Sequence, residues 1–327
     1  MDSAEPPETK EELDGLIASI AAGVGAGERA LVARALNLVE DRRPEARPRI
    51  AALLRGLGAG RPAGHRIGLT GPPGVGKSTL VSTLAGALRS QGHTVGVLAV
   101  DPSSKRSGGA LLGDRARIDT DPDDQGLFVR SLATAGELGG LARAAPAAVM
   151  VLAAAFDRVL VETVGVGQSE TDVEHVVDTV VFVVQPGSGD ALQFLKAGIM
   201  EIPDVLVVNK ADVGEAARRT RAELLGVLRV ARSAGVAGAP VDGGSDVILV
   251  SATQRDGIDR LVDAIERHRA AQTAAGALAE RRVRGQVEWG LRELLRRVGD
   301  EGVGREGGLE AARARIEARV RRGTGPL

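Results

Sequence analysis

Short runs rich in Val, Leu and Ile recur through the middle of the chain, at 66–70, 95–100, 127–130, 158–162, 180–184, 205–209 and 247–251. Most are apolar throughout rather than alternating, the pattern of strands covered on both faces. Between most of them, 77–91, 142–155, 190–201 and 216–231 carry apolar residues at helical spacing. Strand alternating with helix predicts an α/β fold with a doubly wound, mostly parallel sheet. Ahead of it, residues 11–60 read as two helices, EELDGLIASIAAGV and ERALVARALNLVEDR, and GAGRPAG at 58–64 reads as a linker. After Gly257, IDRLVDAIERHRAAQ closes the α/β region as a helix. Residues 276–327 are basic and helical, with Val287, Leu291, Leu294 and Leu295 on one stripe. The chain thus divides into an N-terminal helical extension (1–60), an α/β domain (61–272) and a C-terminal helical region (273–327).

Composition removes several function classes. The net charge is −1 over 327 residues, which argues against a broad electrostatic grip on nucleic acid or an anionic membrane. Four Phe, one Trp and no Tyr leave no stacking platform for single strands. There is no Cys, so disulfides, thiol chemistry and thiolate metal sites are excluded. The acidic start, MDSAEPPETKEELDGL, resembles neither a signal nor a transit peptide. The longest apolar stretch, 144–156, contains Pro146 and is too short to span a bilayer. A soluble, cytoplasmic protein is the expectation.

The strongest chemistry lies in Gly71-Pro-Pro-Gly-Val-Gly-Lys-Ser78, which fits G-x-x-x-x-G-K-[ST] without a mismatch. It follows an apolar strand and opens an amphipathic helix, the context the motif requires. Gly71, Gly74 and Gly76 let the backbone pass close to phosphate, and the N–H groups from Val75 to Thr79 form an anion nest at a helix N-terminus. Lys77 is expected to reach the β- and γ-phosphates, and the Ser78 hydroxyl to bind Mg²⁺.

Asn209-Lys210-Ala-Asp212 ends the strand VLVVN. Asp212 can accept from guanine N1–H and the 2-amino group, a donor pair adenine lacks. Asn209 is expected to hold guanine O6/N7 and tie the loop to the phosphate loop, while the Lys210 stem covers the base face. Ser251-Ala252-Thr253, after the next strand, would offer the Ala252 N–H to O6. GTP is therefore preferred to ATP.

Asp101 and Glu162 fall at strand ends where a doubly wound sheet gathers its ligands. One is expected to orient Mg²⁺ and the other to position the attacking water. The plainer alternatives are an Asx turn before Pro102 for Asp101, and a buried acid paired with Lys77 for Glu162. Gly165 lies in a glycine-bearing segment suited to contacting the γ-phosphate, and Asp114 lies in a second, as a switch residue or a cap. Locally, Asp190 reads as an N-cap and Lys196 as a solvated residue.

VDPSS at 100–104, GGALLGD at 108–114, SLATAGELGG at 131–140, VETVGVGQSE at 161–170, PGSGDALQFLKAGIMEIPD at 186–204 and NKAD resemble one family. It is that of the methylmalonyl-CoA mutase-associated GTPases, in the metallochaperone-like branch of P-loop GTPases, and the resemblance covers about residues 10–300. It implies a homodimeric GTPase using GTP/GDP and Mg²⁺ that acts as a chaperone for an adenosylcobalamin-dependent acyl-CoA mutase. Such a protein gates cofactor loading and protects or reactivates the mutase. Asp101, Asp114 and Glu162 match the family's acidic Mg²⁺ and switch residues, and 190–196, with Lys196, matches a third switch at the partner interface. The C-terminal helices would be the dimer arm, with Trp289 an apolar anchor or a core residue. The chain departs from the family pattern at Ala135-Gly136-Glu137, where Arg and His are usual, and in the strongly apolar stretch 142–155. Two other readings use the same loop: a metal-inserting GTPase, which the missing Cys and the scattered His65, His93, His175 and His268 oppose, and a protein kinase of a transport system.

Overall fold

The computed structural model describes residues 10–57, 62–101, 123–133, 142–163, 173–187, 203–233, 247–305 and 307–326. The expectations placed on Asp114, Gly165, Asp190, Lys196, the 135–137 departure and the helix at 190–201 lie outside these residues, and of Asp101 only the backbone is described. The described residues form two compact units, one drawn from His65–Ala145 and Asp157–Gly285, the other from Met1–Gly64, Pro146–Phe156 and Gln286–Leu327.

The first unit holds a seven-stranded sheet: β1 (His65–Thr70), β2 (Val95–Asp101), β3 (Leu127–Ala133), β4 (Arg158–Glu162), β5 (Thr179–Val184), β6 (Val205–Val208) and β7 (Ile248–Leu249). The order is β3-β2-β4-β1-β5-β6-β7, and every pairing is parallel. All residues of β1, β4, β5 and β6 are buried, as continuous apolar runs require. Successive side chains go to opposite layers. Val181, Val183 and Val207 join Leu80, Leu84 and Leu88 of α4 (Lys77–Ser90) and Leu261 and Ile265 of α7 (Ile258–Ala274). Phe182, Val184, Leu206 and Val208 join Ala217, Leu224 and Leu228 of α6 (Glu215–Ser233) on the other face. Helices on both faces of a parallel sheet are the doubly wound arrangement the pattern predicts.

At the N-terminal ends of the strands lies a buried polar chain. His65 Nε2 is 2.8 Å from Thr179 Oγ1, which is 2.8 Å from His268 Nδ1. His268 Nε2 meets Asp204 Oδ1 at 3.2 Å, and Arg281 meets Asp204 Oδ2 at 2.9 Å. Burial pushes His65 down to about 3, so its ring is neutral. Asp178, also buried, accepts from the Arg66 N–H at 2.9 Å and from Arg282 Nη2 at 2.6 Å. Burial opposes its ionisation, but the Arg282 bond and the Arg66 and Arg282 charges outweigh that and hold the carboxyl below its ordinary range.

The helical unit contains α1 (Lys10–Gly25), α2 (Arg29–Glu40), α3 (Arg47–Leu57), α5 (Ala145–Ala155), the later part of α8 (Ala277–Arg305) and α9 (Gly308–Arg321). The N-terminal segment therefore has three helices, not the two its sequence pattern suggests. Pro44 opens a 3₁₀ turn and Pro48 falls in the first turn of α3, where a missing N–H breaks no helical bond. Ile50, Leu53, Leu54 and Leu57 bury the inner stripe of that helix. α5 is apolar on all sides, and Ala148, Val149, Val151 and Leu152 are fully buried. α8 breaks at Gly299 (φ 66°, ψ 177°). Trp289 is buried, and a Cβ on Gly290 would stand 2.8 Å from Ile316 Cγ2, so α8 and α9 meet closely there. Among the described residues no helix is long and apolar enough to cross a membrane.

Candidate functional site

The loop after β1 is built for close approach. Gly71, Gly74 and Gly76 have φ of 143°, 79° and 89°, conformations that residues bearing a Cβ rarely adopt. A Cβ on Gly71 would lie 2.1 Å from the Val183 carbonyl oxygen of β5, and one on Gly76 would lie 2.6 Å from Asn209 Nδ2. Gly76 caps the N-terminus of α4, so the first N–H groups of that helix face the loop. Lys77 is 7% exposed, and its Nζ donates to the carbonyls of Gly71 at 2.8 Å and Pro72 at 2.9 Å. The ammonium is thus held inside the loop it is expected to serve.

Ser78, in the first turn of α4, donates from Oγ to Glu162 Oε1 at 2.6 Å. Glu162 ends β4 and is 5% exposed. β4 lies between β1 and β2, with Glu162 opposite Leu69 and Ala99, so Asp101 stands two residues further along the neighbouring strand. A hydroxyl and a carboxylate in contact are hard oxygen donors, and this set fits Mg²⁺. Next to them, Thr163 Oγ1 reaches Thr70 Oγ1 at 3.0 Å, tying the end of β4 to β1.

Two loops gather at the phosphate loop from the other side, the one beginning at Asn209 and the one at Ser251–Gln254. Asn209 is 2% exposed; its Nδ2 donates to the Val75 carbonyl at 2.8 Å, and its Oδ1 accepts from the Ala252 N–H at 3.1 Å. The tie to the phosphate loop is as the sequence suggests. The Ala252 N–H, which the sequence reading offers to guanine O6, thus donates to Asn209 here. Asp212 is exposed, and its Oδ1 accepts from Ser251 Oγ at 2.6 Å. Ser251 Oγ lies 3.3 Å from Thr253 Oγ1 and accepts from the Gln254 N–H at 3.3 Å, so the hydroxyl that holds Asp212 is itself held within its own turn. Lys210 has a left-handed backbone (φ 59°, ψ 40°), and its Nζ donates to the Gly74 carbonyl at 2.8 Å.

Two residues of this assembly carry no motif. Thr83, one turn beyond Thr79 on α4, places its hydroxyl 3.0 Å from the Ala252 carbonyl oxygen and 2.9 Å from that of Thr79, with one proton to share between them. Gln185 accepts from Lys210 Nζ at 2.7 Å. The one signal in the sequence for Gln185 is a polar residue ending an apolar strand.

The family model described as Methylmalonyl Co-A mutase-associated GTPase MeaB matches residues 32–302. A probable GTPase of Mycobacterium tuberculosis is 40% identical over 95% of this chain and 91% of its own length. The mitochondrial methylmalonic aciduria type A homolog of Mus musculus is 37% identical over 82% of this chain and 66% of that protein. Among solved structures, the crystal structure of an LAO/AO transport system kinase is 29% identical, covers 98% of this chain and 95% of its own, and superposes with a TM-score of 0.65.

Proposed function

We propose a function from the premise that the chain belongs to the methylmalonyl Co-A mutase-associated GTPase family. As a member it is a GTPase, and membership implies use of GTP, GDP and Mg²⁺. Our reading is a GTP-hydrolysing switch that serves as chaperone to an adenosylcobalamin-dependent acyl-CoA mutase. It would gate cofactor loading and protect or reactivate the mutase. We further propose a cytoplasmic homodimer with α8 and α9 as its dimer arm.

The observation that carries the nucleotide half is Asn209, bonded at one end to the phosphate loop and at the other to the Ser251–Thr253 segment. This supports phosphate and base sites held as one piece, with Asp212 at the mouth of the base site. The mutase half is supported by the family match and by the name of the mouse relative.

In the mechanism we favour, the glycine-rich loop amides and Lys77 hold the β- and γ-phosphates. Phosphate oxygens then compete with the Gly71 and Pro72 carbonyls for an ammonium already in place. Ser78, Glu162, Asp101 and Asp114 would hold Mg²⁺, which neutralises developing phosphate charge. An acid of this set that meets the ion through water rather than directly would orient the water that attacks the γ-phosphorus in line as the bond to the β–γ bridging oxygen breaks. Gly165 and Lys196 are proposed as γ-phosphate and partner contacts respectively.

The test is GTP hydrolysis by the full chain with and without candidate methylmalonyl-, isobutyryl- and 2-hydroxyisobutyryl-CoA mutases. A mutase that accelerates turnover and binds in a GTP-dependent way supports the reading; no response from any removes its chaperone half. Metal insertion has less support, since the chain has no Cys and no group of three or more His, Asp or Glu suited to a metal occurs among the described residues. A protein kinase reading is favoured only by the similar solved structure being called a transport system kinase. Label from γ-phosphate on a protein, rather than in free phosphate, would revive it.

A further inference from the structure

Gln185 directly follows β5. The Val184–Val208 pairing sets β5 and β6 in register at their C-terminal ends, and the Asn209 N–H donates to the Val184 carbonyl at 2.9 Å. That register carries Gln185 beside the loop that begins at Asn209. There its Oε1 accepts from Lys210 Nζ at 2.7 Å, while the same ammonium donates to the Gly74 carbonyl at 2.8 Å. An ammonium has donors only, so the amide must present its oxygen.

The lysine is fixed at both ends. Its backbone takes the left-handed conformation, φ 59°, which residues with a Cβ adopt chiefly where their surroundings impose it. The next residue secures that conformation: the Ala211 N–H donates to the Val250 carbonyl at 2.9 Å. At the other end, two acceptors from different parts of the chain, the phosphate loop and the residue just after β5, locate the ammonium. A lysine tied to Gly74 alone could pivot about that one bond. The Gln185 acceptor removes this freedom and sets where the four-carbon stem lies. An apolar stem with an anchored head is suited to lie against the flat face of a base.

We infer that Gln185 is a positioning residue for the guanine nucleotide. It acts through Lys210, holding the stem as one wall of the base site and linking that wall to β5. The inference rests on the guanine-nucleotide reading above. The bland competitor is an exposed polar contact with no effect on binding, as many surface pairs are.

The experiment follows fluorescent mant-GDP release from the full chain, with pyrophosphate as a competitor that has no base. Gln185→Ala is expected to speed mant-GDP release and raise its dissociation constant by about three- to tenfold, the loss of one hydrogen bond to a charged group discounted for exposure. Pyrophosphate affinity is expected to stay at the wild-type value. Gln185→Glu, which keeps an acceptor at the same reach, is expected to restore slow release. Should Gln185→Ala unfold, Gln185→Leu takes its place, with thermal melting confirming the fold. Release at the wild-type rate, an equal loss for pyrophosphate, or failure of Gln185→Glu to rescue would each overturn the inference. A wild-type chain that binds pyrophosphate but not mant-GDP would overturn the guanine reading and the inference with it.

Discussion

The hydroxyl of Ser78 donates to Glu162 Oε1 at 2.6 Å, joining the first turn of α4 to the C-terminal end of β4. The two residues are 84 positions apart in the chain. Their meeting follows from β4 lying next to β1 in the sheet, so that the strand end comes up beside the phosphate loop. We expect Glu162→Gln, which keeps the shape and removes the charge, to lower GTP turnover roughly 100-fold. It should also raise the Mg²⁺ concentration needed for half-maximal rate. Steady-state hydrolysis across a Mg²⁺ titration measures both, and an unchanged Mg²⁺ requirement would remove Glu162 from the proposed ion site.

Asp212 is exposed at the mouth of the proposed base site, its Oδ1 held by Ser251. Asp212→Asn exchanges an acceptor pair for an acceptor and a donor. Affinity for GDP should fall by about tenfold or more, and xanthosine diphosphate, with an acceptor where guanine has its amino group, should gain. Competition binding with GDP, ADP and XDP reads the result. Unchanged GDP-over-ADP selectivity would falsify the base assignment.

Gly76→Ala places a methyl 2.6 Å from Asn209 Nδ2 at a φ of 89°. The side chain it strikes is the tether between the two halves of the site, and the backbone is strained in addition. We expect a destabilisation of about 1–3 kcal/mol together with loss of measurable mant-GDP binding. Gly74→Ala provides the contrast, because its Cβ would meet nothing within 4 Å and suffers only from its φ of 79°. Chemical denaturation and mant-GDP titration of the pair should therefore separate collision from backbone strain, with Gly76→Ala the worse of the two.

His65 makes stability depend on pH. Burial holds its folded value at about 3, against an ordinary 6.5. Between those values the unfolded chain binds the proton and the folded chain does not. Stability from this group is therefore fully present above about pH 6.5 and falls as pH drops towards 3, by at most about 1.4 kcal/mol per pH unit. Asp178 and Asp204, both held below the carboxylate range, add a further loss in the same direction at still lower pH. Urea midpoints at pH 7.5, 6 and 5 should decline for the wild type and decline less for His65→Gln. Equal slopes would show that His65 is not the group responsible.

Some of this was readable because its signals are local. Gly71–Ser78 needs only a strand, a tight turn and a helix start, and all three are coded within a few residues. The all-apolar runs ending at Glu162 and Val184 likewise announce strands buried on both faces. Other features depend on which strands become neighbours. Gln185 is an unremarked polar residue until β5 and β6 align and bring Lys210 to it. The four histidines look scattered, yet Thr179 brings His65 and His268 into one hydrogen-bonded chain. α3 is harder to read from the sequence for a different reason: its second residue is Pro48, and proline breaks a helix in its interior but is harmless in its first turn.

By itself, then, the sequence determined the parallel α/β core, the glycine-rich loop after β1 and the place of the Asn209–Asp212 tetrapeptide at a strand end, because apolar runs and glycine spacing act within one element. The tertiary structure decided how those pieces are held. It turned Lys77 back onto its own loop carbonyls, joined the Ala252 N–H to Asn209 Oδ1, and set Glu162 against Ser78. Each of these is a hydrogen bond between groups whose distance is fixed by strand order and register, and a linear pattern of hydrophobic and polar residues does not encode that distance.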